Sequence, residues 1–164
     1  MYQLLVFVHI LAAVVWIGGV VFIPLVLMPA TRGMPQRAEV ITAAGRRFRV
    51  VGWAALALGV ATGLAIAYLR GVPRLLLTGE LWESSWGRLF VAKVLLVGAM
   101  IALSLTHDLL LVAAGRTMRR KDASGEAVAR AARYRRLSSI AAQAMGLVAL
   151  AVLAVAVLLV RGLP

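Results

Sequence analysis

Four ionisable residues fall inside long apolar runs of the sequence: His9, Lys93, His107 and Asp108. Titratable groups in hydrocarbon are costly and mark sites of chemistry. An imidazole can ligate a metal through one ring nitrogen, and a lysine ligates as the neutral amine that burial favours. Depth sorts these residues. At about 1.5 Å of rise per residue, His9 lies about 10 Å to one side of Trp16, the centre of its run. The third run is centred near Ala102; Lys93 lies about 13 Å towards the same side and His107 about 8 Å towards the other. His9 and Lys93 share a depth, and His107 stands about 18 Å from His9 along the membrane normal.

That arrangement suits a haem. A haem whose plane follows the membrane normal needs axial ligands at similar depth, which makes His9 and Lys93 the candidate pair. His107 is the alternative metal ligand. Trp16 is a candidate for the pocket wall, and Arg88, with Arg70 and Arg74, for partners of the haem propionates. Tyr68 lies near the depth of His9, and Gln143 near that of His107. Simpler readings stand beside these. Lys93 is close enough to Arg88 to reach the interface, His107 and Asp108 can form an interfacial pair, and Trp16 and Met100 can serve packing alone. Copper is the other metal to consider, but there is no cysteine and the six methionines are scattered. The chain contains no Gly-x-Ser-x-Gly, His-Glu-x-x-His or phosphate-loop motif.

The elements that must position these groups are four apolar runs, at about 4–29, 50–69, 89–114 and 137–160. Each is near or above the ~20 residues a spanning helix needs. Of the 164 residues, 63% are hydrophobic and only 15% charged, and mean hydropathy is +0.96. These values exclude a soluble globular domain and a disordered chain. Four runs cannot close a barrel, so the expected fold is all-α: one transmembrane domain, 1–164, forming an integral membrane four-helix bundle. The first run follows Met1-Tyr2-Gln3, without Lys or Arg, and is too long for a signal-peptide core; it is expected to be a retained span.

Charge sets the expected orientation. Thirteen of the eighteen basic residues lie in 31–49 and 115–136, the two loops that share a face in a four-span chain. The positive-inside rule puts these loops in the cytoplasm and both termini outside, as in a prokaryotic-type inner (plasma) membrane. The net charge of +12 then reflects topology and contact with membrane lipids, and no nucleic-acid partner is expected. A homo-oligomer remains open. Arg46-Arg47-Phe48-Arg49 before the second run and Arg133-Tyr134-Arg135-Arg136 before the fourth form a faint internal echo. Two tryptophans, Trp82 and Trp86, suit the outer interface.

Several of these residues carry a family likeness. His9 to Gly19 (His-Ile-Leu-Ala-Ala-Val-Val-Trp-Ile-Gly-Gly), followed by Pro24, resembles the first helix of the copper resistance D (CopD) membrane family. It also resembles the four-helix membrane protoporphyrinogen oxidases of the HemJ type. The likeness continues through Arg47-Phe48, Thr62-Gly63-Leu64, Trp86-Gly87-Arg88-Leu89 with Lys93, and Arg133-Tyr134-Arg135-Arg136. The HemJ-type resemblance implies haem b held by a first-helix histidine and a third-helix lysine, here His9 and Lys93. It also implies oxidation of a porphyrinogen, with electrons passed to a quinone or another membrane acceptor. The CopD resemblance implies copper transport or resistance. Leu137-Ser138-Ser139-Ile140 departs from the HemJ pattern at the start of the last helix. A third class, a structural or assembly subunit of a membrane redox complex, would need none of this chemistry.

Overall fold

A computed structural model describes residues 1–119 and 125–161. The described residues form helices and turns, with no strand. Four helical segments are long and apolar enough to cross a membrane: Tyr2–Ala30, Arg37–Leu69, Ser85–Met118 and Gly125–Arg161. They fall into two compact units, Met1–Glu83 and Ser84–Pro164.

The first unit is a hairpin of α1 (Tyr2–Phe22) and α3 (Arg37–Leu69). Between them α1 continues through a π-helical turn, Ile23–Leu27, into the single turn α2 (Met28–Ala30). Pro24 explains the widening: it has no N–H, and its ring would strike the carbonyl one turn back. The hairpin is zipped by small residues. His9 sits over Gly63, Ala12 faces Gly59, and the Phe48 ring fills a notch between Gly19 and Gly52. Hydrocarbon provides no hydrophobic drive between helices, so close backbone approach and van der Waals packing hold such a pair. Ala12, Trp16 and Val20 recur on the buried face of α1, and Gly52, Ala55, Leu56 and Thr62 on that of α3. Gly71, at φ 73°, takes the left-handed conformation that stops α3 and turns the chain into α4 (Val72–Thr78), then α5 (Glu80–Glu83).

The second unit is a hairpin of α6 (Ser85–Arg119) and α7 (Gly125–Arg161). Ser84 caps α6 by accepting from the Gly87 N–H at 3.0 Å. The seam between the two helices is again lined by small residues: Ala114, Ala131, Ser138, Ala141 and a fully buried Ala149, with Met100 as the large one. Trp86 stacks on Phe90 with ring centroids 5.4 Å apart.

The helices outrun the hydropathy. The run expected at 50–69 is the second part of a 33-residue helix, and the run at 137–160 lies within a 37-residue one. The first and third helices also begin before their runs, at Tyr2 and Ser85. The reason is compositional: segments 37–49 and 125–136 are rich in Ala and Arg, strong helix formers that end a hydropathy signal without ending a helix.

Candidate metal centre

His9 is half-buried inside the first hairpin. Its Nδ1 lies 2.9 Å from the Gly59 carbonyl oxygen and 3.1 Å from Thr62 Oγ1. The Thr62 hydroxyl donates to the Leu58 carbonyl at 2.7 Å, so towards His9 its oxygen accepts. Two acceptors at Nδ1 assign the proton to that nitrogen and the lone pair to Nε2. This is the tautomer of a histidine that ligates a metal through Nε2 while a carbonyl orients the ring. The ring rests against Gly63, where an added Cβ would come within 3.0 Å of His9 Cε1.

His107 repeats the arrangement in the second hairpin. Its Nδ1 is 2.9 Å from the Ser138 carbonyl and 2.9 Å from Ser138 Oγ, and the Ser138 hydroxyl can donate back to the His107 carbonyl at 3.4 Å. Ser138 is 1% exposed. Here too Nδ1 donates and the lone pair falls on Nε2. One turn along α6, Ser104 Oγ lies 3.0 Å from Met145 Sδ and 2.8 Å from the Met100 carbonyl.

The other expected residues are placed as follows. Trp16 is buried in the seam of the first hairpin. Lys93 is half-buried on α6, and Arg88 is exposed, donating to Ser85 Oγ at 3.1 Å. His9 thus belongs to the first unit, and Lys93, Arg88 and His107 to the second. Arg70 donates to the Tyr2 hydroxyl at 2.9 Å, tying the end of α3 to the start of α1. Tyr68, at 73% exposed, and the exposed Gln143 turn outwards despite their matching depths. The groups that orient the histidines are instead Gly59, Thr62 and Ser138. Two of the contacts use backbone carbonyls, which leave no mark on residue type. Among the described residues, no three His, Cys, Asp or Glu side chains gather into a metal-binding group.

Comparison with known proteins adds a family. The family model for copper resistance protein D (CopD) matches residues 42–159, which include Lys93 and His107 but not His9. A protein of Aquifex aeolicus (strain VF5), described as an uncharacterized protein, is 38% identical over 71 residues. That match covers 42% of this chain and half the length of the relative. No solved structure matches. Four apolar helices in two tightly seamed hairpins, with most of their length matched by the family model, place the chain in the copper resistance protein D family of membrane proteins.

Proposed function

We propose that this member of the family is a membrane redox protein in which His9 would hold haem b. The observation that carries this reading is the His9 tautomer: Nδ1–H is held by Gly59 and Thr62, which puts the lone pair on Nε2. The residues present fit the group. A single oriented imidazole is a weak site for a bare ion, but a porphyrin brings four nitrogens of its own. Gly63 keeps the ring face clear of a side chain. Bound haem b would supply one-electron chemistry, with a quinone or other membrane species as acceptor. Gly59 and Thr62 fix the ring. The HemJ-type resemblance also marks a third-helix lysine, here Lys93, as an important residue, and a porphyrinogen is the substrate class it implies.

Copper is the second reading, and two observations favour it: membership of the CopD family and the Met145 thioether of α7 beside Ser104, which stands one turn of α6 from His107. One experiment separates the two. The protein is purified in detergent, its oxidised and reduced absorption spectra are recorded, and iron and copper are measured. The haem reading expects a Soret band that His9→Ala abolishes or shifts and that His107→Ala leaves in place. Stoichiometric copper without a Soret band, after growth with added haem, overturns it in favour of copper handling.

A further inference from the structure

Each hairpin carries a group of arginines that the ligand reading does not use. The hydrocarbon core of a bilayer is about 30 Å thick, which about 20 helical residues span. In α3, the 20 residues from Val50 to Leu69 suffice. Arg46, Arg47 and Arg49 therefore lie within about 6 Å of the hydrocarbon edge, inside the headgroup layer. In α7 the apolar part begins at Leu137, so Arg133, Arg135 and Arg136 fall at the same level relative to their own span.

Four features define these groups as a surface. Arg46, Arg47, Arg133, Arg135 and Arg136 are exposed; Arg49 is half-buried. No Asp or Glu occurs between Val40 and Leu69, or between Ala127 and Pro164, so neither group has a carboxylate within a turn on its own helix. The arginines of each set share one side of their helix. At about 100° per residue, positions 46, 47 and 49 of α3 fall within an arc of about 160°, as do 133, 135 and 136 of α7, and the buried residues of the seams (Gly52, Ala55 and Thr62 in α3, Ala131 and Ser138 in α7) lie outside these arcs. The helices are also rigid at this point, because each runs on without a break from arm to span.

We infer that each set is a basic patch that binds the phosphates of anionic lipids. Exposed arginines at headgroup depth, turned away from the seam of their own hairpin and with no carboxylate within a turn on their own helix, match separate lipid phosphates, each met by a planar guanidinium. The inference rests on the four membrane spans and is independent of the metal.

The test uses the full chain in nanodiscs of phosphatidylcholine with one quarter phosphatidylglycerol. After mild detergent extraction, the lipids retained by the protein are quantified by mass spectrometry. Phosphatidylglycerol is expected to be enriched over the bulk mixture. In the variants Arg46→Gln/Arg47→Gln and Arg133→Gln/Arg135→Gln/Arg136→Gln, the enrichment is expected to fall at least about fivefold. The matching Arg→Lys variants keep the charge and are expected to keep most of the enrichment, which guards against misfolding as the cause. The pair Arg70→Gln/Arg74→Gln, at the other end of the first hairpin, is expected to have no effect. Equal enrichment in the Gln variants overturns the lipid patch. Tight binding of a DNA duplex by the protein in pure phosphatidylcholine, without enrichment of phosphatidylglycerol, overturns it in favour of a nucleic-acid surface. Millimolar inorganic phosphate is expected to leave the enrichment intact; full displacement would assign the site to free phosphate instead.

Discussion

At the scale of the residue, the two histidines use one device. Each stands on the first long helix of its hairpin and donates through Nδ1 to a carbonyl of the returning helix, beside a hydroxyl. A backbone carbonyl cannot be mutated away, so the sharpest probe of His9 is the glycine beneath it. Gly63→Ala places a methyl group 3.0 Å from Cε1, and the ring must yield by a few tenths of an ångström. A shift of that kind is expected to lower metal or haem content, or move the absorption bands. The loss of thermal stability in detergent should stay within about 1–3 kcal/mol. Gly18→Ala meets open space and should leave both readouts unchanged. Residue type alone was enough to single out His9 and His107, because a titratable ring in an apolar run is conspicuous. Their orienting partners were not legible. Matching depth pointed to Tyr68 and Gln143, but depth says nothing about rotation, and both turn away from the seams.

At the scale of the element, the number and class of the spans could be read from hydropathy and their ends could not. Hydropathy reports where the surroundings change from lipid to headgroup. Helicity follows hydrogen bonding and propensity, and the Ala- and Arg-rich arms satisfy both well beyond that boundary. The arm of α7 is held on α6 by a side chain with no room to grow: Ala131 is 2% exposed, whereas Ala132 beside it is exposed. Ala131→Leu is expected to overpack this seam, at a loss of about 1–3 kcal/mol. It should also release the arm to trypsin at Arg130 and Arg133, with cleavage rates measured by mass spectrometry. Ala132→Leu should cleave like the parent. The π-turn at Ile23–Leu27 is the element-scale feature with a legible cause, since Pro24 sits in an apolar run that otherwise reads as uninterrupted helix.

At the scale of the whole molecule, thirteen of eighteen basic residues fall on two loops, and the orientation they imply is directly measurable. The chain has no cysteine, so single cysteines can be introduced one at a time. A cysteine replacing Arg37 or Arg130 is expected to react with a membrane-impermeant maleimide only after cells are opened. One replacing Arg74 or Glu83 should react in intact cells, and the reverse pattern would invert the topology.

The division at Glu83 and Ser84 has a consequence in time. Ribosomes add about 5–20 residues per second, so the 81 residues from Ser84 to Pro164 take roughly 4–16 s to make. In the later part of that interval, once α3 has left the ribosome, the first hairpin has both of its long helices, its Phe48 knob and the acceptors for His9. Its defects are therefore exposed to membrane quality control before the second hairpin exists. A bulky residue at Gly19, where a Cβ would overlap the Phe48 ring, should shorten the life of the nascent chain as well as weaken the finished fold.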